Sequence, residues 1–593
     1  MVPPTPLPYP NCWATPEDYV DNLLQFVTTT DTFRILCGGV HVLDFFTSEP
    51  GLFNAVVPDE WQPWLLQCEP MKLLDILMRQ DVDSLPDPQP PIGLLRYIKD
   101  IRRFSLARDF SSREEDLPKL TWKMSVGMNP KKIHEVRNFA DYVDHLASDI
   151  KAEFNNEITH FVDFGSGQNY LGRALASAPY NKQIVAVEGR EHNIAGAKKL
   201  DIIAHVVEKP KIIRNKKLWM QQLDSMIPEG QQDEQALKRA TKAIKVSKKH
   251  ATDLRPRNEL EVTYTPEVGK GFIRYIEGRL ESGDLTDVVD QLKGSHLDPS
   301  APRGDLKLMA ISIHSCGNLS HHGIRSLILN PAVQAIAIVG CCYNLLTERL
   351  GPPTYKHPYT RPSLQALNGR VIRESNKHDP HGFPLSDRLC AYGGDGIRLN
   401  ITARMMACQA PYNWTEAESD GFFTRHFFRA VLQKIFFDRG VISKVYHGGA
   451  GAEGGTDGPA QSPFNASTNP VILGSLSKSC YKSLHAYVRG AITKLTTSSD
   501  HREQHDIIAE RMSNITDEEI ARYEQQYGPR KRELSAIWSL MAFSAIVVES
   551  LVVTDRWLFL REHSDLVQDC WVETVFDYRQ SPRNLVIVGV KKP

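Results

Sequence analysis

Two short constellations in this sequence are built from residues that do chemistry. The first is Val162-Asp163-Phe164-Gly165-Ser166-Gly167-Gln168-Asn169-Tyr170. An apolar run ends near an acid, two glycines follow at alternate positions, and a helical pattern begins near Tyr170. Glycines here let the backbone bend sharply and admit a ligand to close range. The helix behind them offers free N–H groups and partial positive charge, which suit a carboxylate. A second acid, Glu188, ends the next apolar run and is followed by Gly189. A carboxylate at that place can accept hydrogen bonds from both hydroxyls of a ribose. Asp163, Gly165, Ser166, Gly167, Glu188 and Gly189 thus suit a ligand with an ammonium, a carboxylate and a ribose. S-adenosylmethionine carries all three. A dinucleotide suits them less, because its fingerprint needs a further glycine where this chain has Tyr170.

The second constellation is split. His314-Ser-Cys316-Gly-Asn318 ends a fourth apolar run, and Cys341-Cys342-Tyr343-Asn344 ends a fifth. In an open α/β sheet, ligands bind beyond the carboxyl ends of the strands, so both segments should border the first site. Three readings stand beside each other. In the first, the segments line a methyl-acceptor pocket. His314 is base or orienter, Tyr343 a stacking wall, Asn318 and Asn344 polar readers, with Cys341 and Cys342 at the strand end and Cys316 against the donor. In the second, the cysteines are small hydrophobes that fill the strand ends. In the third, His314, Cys316, Cys341 and Cys342 hold a metal. Those types suit zinc, but no spacing is a zinc pattern and adjacent cysteines seldom point the same way, so no metal is expected.

The elements that must position these residues can be read from apolar periodicity. Strands are predicted at His160 to Phe164, Gln183 to Glu188, Gly271 to Ile276, Leu308 to His314 and Ala335 to Gly340. Their continuous apolar character fits a parallel sheet covered on both faces. Trp571 to Phe576 and Asn584 to Val590 read as a closing hairpin. Asn129 can cap a helix with Pro130 at its first position. Residues 1–120 read as a helical region with a stiff Pro86 to Pro91 linker, and 121–593 as one interrupted α/β domain. Two insertions interrupt it: a basic stretch, Lys209 to Arg257, and a Gly/Ala/Ser-rich loop, His447 to Pro470, expected to be disordered. Three acids after the third strand (Glu277, Glu281, Asp284) compete to read an adenine. Gly382-Phe-Pro-Leu-Ser386 reads equally as a packed turn or a substrate lid. Arg583 could hold the sheet edge or touch RNA phosphate.

Composition narrows the class. The chain has 593 residues, 70 basic and 71 acidic, for a net charge of −1, so no global field draws it to nucleic acid or membrane. Ten cysteines without a framework suit free thiols in a reducing compartment, cytoplasmic or nuclear. No signal peptide is visible at the N-terminus. Ala536 to Val553 is apolar enough to resemble a membrane span, but its serines and Glu549 favour a buried core helix.

The segments Asn129-Pro-Lys-Lys-Ile-His-Glu-Val, Val162-Asp-Phe-Gly-Ser-Gly, Val187-Glu-Gly, Ile313-His-Ser-Cys-Gly-Asn-Leu, Gly340-Cys-Cys-Tyr-Asn-Leu-Leu, Gly382-Phe-Pro-Leu-Ser and Ser581-Pro-Arg-Asn-Leu occur in order. Together they resemble the methyltransferase-like protein 25 family, which includes a protein named for an rRNA adenine dimethylase-like domain, within the class I S-adenosylmethionine-dependent methyltransferases. The resemblance implies a Rossmann-like sheet of seven strands, the last antiparallel, with S-adenosylmethionine at the edge of its first strands. It does not supply an acceptor. Enzymes that methylate exocyclic amines commonly carry a proline and an aromatic after the fourth strand. Here Asn318-Leu319 runs into Ser320-His321, which argues against adenine dimethylation. Cys341-Cys342 loosely resembles the Cys-Cys-His of a tRNA ribose-methylating family, and Tyr343 departs from it. The expected activity is methyl transfer to a nitrogen or oxygen, with RNA or a ribosomal protein as acceptor. The alternative is a non-catalytic scaffold that grips RNA or protein through its basic insert.

Overall fold

The apolar runs pair as their continuity demands. In chain order the strands are β1 (His160–Phe164), β2 (Gln183–Glu188), β3 (Phe272–Glu277), β4 (Leu308–Cys316), β5 (Val333–Cys341), β6 (Lys444–Tyr446), β7 (Ala466–Thr468), β8 (Val567–Thr574) and β9 (Leu585–Lys591). The computed structural model describes residues 2–48, 51–79, 85, 87–111, 117–207, 225, 264, 267, 269–293, 306–350, 379–446, 466–497 and 502–593. Seven strands form one sheet in the order β3-β2-β1-β4-β5-β9-β8. β1 to β5 run parallel, and β9 runs antiparallel to both β5 and β8. This is the Rossmann-like arrangement with an antiparallel final strand that the sequence resemblance implies. β4 and β5 reach two residues and one residue further than their apolar runs suggested, so Cys316 and Cys341 are strand residues.

One face of the sheet is covered by α4 (Pro130–Phe154), whose Val136, Phe139, Val143 and Ile150 join Phe161, Ile184 and Met309 in an apolar cluster. Asn129 caps that helix as expected, its side chain accepting the Lys132 N–H at 2.8 Å. The other face meets α7 (Asn318–Leu329) and the long helix α11 (Lys531–Glu562). Three helices before residue 120, α1 (Pro16–Thr29), α2 (Pro70–Met78) and α3 (Ile92–Phe104), add to the same side. Their Tyr19, Leu77 and Ile98 belong to the same apolar cluster as Val547 and Leu551 of α11 and Ile338 of β5. The helical character of this region matches its periodicity, and its apolar side chains join the common core. Serines in the apolar stretch of α11 answer polar groups of these helices: Ser544 Oγ meets Tyr97 Oη at 2.6 Å, and Ser550 Oγ accepts the Leu106 N–H at 2.9 Å.

Among the described residues, one helical stretch is long and apolar enough to cross a membrane, but 89% of its most apolar window is buried inside the fold. The core-helix reading of Ala536 to Val553 accounts for it. The basic insert 209–257 lies outside the described residues except for position 225. Of the 447–470 loop, residues 447–465 also lie outside them, while Ala466–Thr468 is ordered as β7 and pairs with β6. That last part of the loop is therefore a strand, contrary to the expectation of disorder.

Candidate functional site

The glycine loop leaves β1 and enters α5 (Tyr170–Ala176). Gly165 (φ 63°) and Gly167 (φ 57°) both take left-handed conformations that side chains resist. The N–H groups of Gly165 and Ser166 donate to the Val187 carbonyl at 2.9 and 3.2 Å, which ties the loop to β2. Glu188 completes the clamp: its Oε2 accepts the Gly167 N–H at 2.8 Å and its Oε1 the Arg190 N–H at 3.0 Å. Arg173, fully buried, reaches back from α5 and donates to the Gln168 carbonyl at 2.9 Å while pairing with Asp201 at 2.8 Å. At Gly172 a Cβ would stand 2.9 Å from Ile184, so that glycine lets α5 lie close on β2.

The loop fits the expected ligand. A carboxylate offers about four lone-pair sites, and two backbone donors leave Glu188 with room for a ribose diol. Ser166 Oγ is buried without a hydrogen-bond partner, a polar atom in the loop left unanswered by the protein. Nothing crowds the position a Cβ would take at Gly167. Gly189 admits the side chain of Arg279, which a Cβ there would meet at 2.7 Å. Of the three candidate acids, Glu277 ends β3 in register with Glu188, whereas Asp284 is occupied in capping Thr286, accepting its N–H at 2.9 Å and its hydroxyl at 2.6 Å.

Asp163 is buried, and burial pushes its carboxyl up to about 8; nearby Glu188 adds to the rise and Lys132 opposes it. A pKa raised above its unfolded value contributes stability below that value and loses it as pH rises through the folded one. The ligand-free protein should therefore lose stability from pH ~4 to pH ~8 through this group. Asp163→Asn should flatten that part of the thermal-midpoint profile and melt above the parent at pH ~8.5. Equal profiles for the two proteins would show that Asp163 is ionised at low cost.

Near the end of β4, His314 is half-exposed, and its Nε2 meets Glu135 Oε2 at 2.9 Å. Glu135 lies on α4, fully buried. It also accepts from Lys132 at 2.9 Å and from the Ser581 hydroxyl at 2.8 Å. Burial works to raise its pKa, but His314 and Lys132 outweigh it and bring it down to about 2. His314 is thus an oriented imidazole on a fixed carboxylate, an arrangement that suits proton transfer. Sequence reasoning did not find Glu135, Lys132 or Arg173. The first two sit in Asn129-Pro-Lys-Lys-Ile-His-Glu-Val, a segment singled out above without a role.

Other expected pocket residues are committed elsewhere. Tyr343 is only 2% exposed, its hydroxyl donates to Glu549 at 2.8 Å, and the guanidinium groups of Arg556 and Arg583 lie over its ring. It cannot be a stacking wall for an acceptor, because α11 covers it. Asn318 is locked: its amide donates to Asp379 at 2.9 Å and its carbonyl accepts the Thr347 N–H at 3.0 Å. It fixes the chain after β5 and has no free group for reading a substrate. Asn344 accepts from the Cys408 thiol at 3.3 Å. Arg583 pairs with Glu549 at 2.6 Å inside the fold, so it holds the sheet edge and is not placed to touch phosphate. In Gly382-Phe-Pro-Leu-Ser386, Phe383, Leu385 and Ser386 are buried, and the N–H groups of Leu385 and Ser386 donate to Asp555 at 2.7 and 2.9 Å. That segment is a packed turn, not a lid.

The three cysteines come together. Cys316 Sγ lies 3.3 Å from Cys341 Sγ and 3.5 Å from Cys342 Sγ. Adjacent Cys341 and Cys342 point the same way because Cys342 takes a left-handed conformation (φ 50°) that turns its side chain back. The two neighbouring thiols donate towards Cys342 and lower its pKa. All ten cysteines are free.

The fold and the loop define a class I methyltransferase domain. Residues 131–349 match a family model described as a methyltransferase domain. The chain is 27% identical over 290 residues to the mouse (Mus musculus) probable methyltransferase-like protein 25, covering 48% of this chain and 37% of the relative. It is 26% identical over 290 residues to the human (Homo sapiens) protein of that name, with the same coverage. Through this domain the chain is similar to those two proteins, and the alignment spans little more than a third of their length. No solved structure matches it.

Proposed function

We propose that this chain is an S-adenosylmethionine-dependent methyltransferase acting on a nitrogen or oxygen atom of RNA or a ribosome-linked protein. The observation that carries the reading is the loop in which Glu188 holds the Gly167 N–H at 2.8 Å while the buried Ser166 hydroxyl has no partner. When bound, the donor supplies an electrophilic methyl group on sulfonium sulfur. Asp163 and the N-terminus of α5 would receive its ammonium and carboxylate, and Glu188 its ribose. Methyl transfer then needs a nucleophile placed in line and relieved of its proton. His314, oriented by Glu135, would take that proton at the sheet edge. The RNA leaning rests on the lysine-rich composition of 209–257, and a cytoplasmic or nuclear home on ten free thiols.

Isothermal titration of S-adenosylmethionine and of S-adenosylhomocysteine into the folded chain tests the donor site. Both should bind with Kd near ~10 μM or tighter, about −7 kcal/mol. A folded sample that binds neither would leave the sheet as a scaffold. Salt-sensitive RNA binding, lost when 209–257 is deleted, would then become its function.

A further inference from the structure

We infer that Cys316, Cys341 and Cys342 form a three-thiolate zinc site with its fourth coordination position open, at the carboxyl edge of the sheet. The three sulfurs lie within 4.8 Å of one another, and two of the separations are 3.3 and 3.5 Å. Tetrahedral zinc with Zn–S bonds of about 2.3 Å sets its sulfurs about 3.8 Å apart, so small side-chain rotations bring this trio to the required geometry. Thiolates are soft ligands and select such ions over magnesium or calcium.

The backbone is arranged to gather them. Cys316 and Cys341 are register partners on β4 and β5 beyond a register shift between Ser312 and Ser315, so their side chains lie side by side on one face. Cys342 adds the third sulfur only because it is left-handed. Among the described residues, the other non-glycine positions with positive φ are three asparagines and a histidine, types that tolerate it. A cysteine held in that conformation is unusual, and such outliers gather at functional sites. Gly317 fixes the frame on the other side: a Cβ there would stand 2.5 Å from the Leu345 carbonyl oxygen.

Among the described residues no other histidine, cysteine or carboxylate joins the cluster. Three protein ligands with an open position are the stoichiometry of a reactive zinc rather than of a structural one. Cys316 is exposed and Cys341 buried, so the open position would face solvent beside His314 with protein behind it. Zinc binding would displace the thiol protons to solvent, with no change of oxidation state. The inference does not depend on the donor reading, because the ligands come from β4 and β5 and not from the glycine loop.

The test uses the full chain, purified under reducing conditions without chelator and supplied with zinc. About one zinc per chain is expected, with an X-ray absorption edge fitted by three sulfurs and one nitrogen or oxygen. The Cys316→Ser/Cys342→Ser double variant should lower zinc affinity at least about tenfold, while Cys12→Ser leaves it unchanged. If the double variant fails to fold, cobalt(II) titration of the parent replaces it: thiolate-to-cobalt charge-transfer absorption should appear and saturate near one equivalent. Zinc retained at full strength by a folded double variant would place the ion elsewhere and overturn the inference. So would a parent with all thiols reactive that takes up neither metal, or one in which Cys316 is disulfide-linked to Cys341 or Cys342.

Discussion

An alanine at Glu188 is expected to weaken S-adenosylmethionine binding about 100-fold. Two hydrogen bonds from ribose hydroxyls to a charged acceptor are each worth about 1.5–3 kcal/mol, and their loss sums to near 3 kcal/mol or more. The same substitution frees the Gly167 and Arg190 N–H groups that Glu188 now holds, so the loop also loses its preset shape. Glu188→Gln removes the charge and keeps one acceptor oxygen, enough for only one of the two N–H groups, and about a tenfold loss is expected of it. Titration calorimetry on folded variants reads both. Asp163→Ala should weaken binding as well, since under the proposed function this acid receives the ligand's ammonium. Micromolar affinity that survives both alanine substitutions would mean that the loop is not the donor site.

The second large effect concerns stability. Glu549, buried on α11, pairs with Arg108 at 2.7 Å and with Arg583 at 2.6 Å and accepts the Tyr343 hydroxyl at 2.8 Å. Burial alone would raise its pKa, but the two guanidinium groups reverse that and leave it lowered. One carboxylate thus joins the segment after α3, the end of β5 and the β8–β9 connection. Removing one member of a buried ion group strands the others, typically at a cost of about 3–5 kcal/mol. Glu549→Gln should therefore cost about that much, visible as a large drop in the thermal unfolding midpoint. Glu533→Gln, at an ion pair of partly exposed side chains on the same helix, should cost less than about 1 kcal/mol. A Glu549→Gln protein that melts like the parent would show that the guanidinium groups find other partners.

These two sites also show how far the sequence could be read. β1 and β2 were found residue for residue, because a parallel strand buried on both faces leaves an unbroken apolar run. The shape of the glycine loop was legible because its turn depends on residues a few positions apart, and Glu188 stood out because it ends the next apolar run. His314 was singled out, but not the Glu135 that its imidazole meets, since nothing local links positions so far apart in the chain. Tyr343 and Asn318 were misplaced for the same reason. At the end of a strand both look accessible, and only the packing of α11 and the chain after β5 commits them to the interior. The left-handed turn at Cys342 left no mark in the residue pattern, because cysteine is not a residue that announces such a conformation.

The sheet order has a consequence for how the molecule is made. β5 pairs on one side with β9, a strand synthesised more than two hundred residues later. The apolar faces of α1, α2 and α3 likewise await α11. Until those partners emerge from the ribosome, the nascent chain carries an unpaired edge strand and bare helix faces, the features that invite wrong pairings. A fragment ending after β5 would retain that open edge permanently, even though the glycine loop within it is whole.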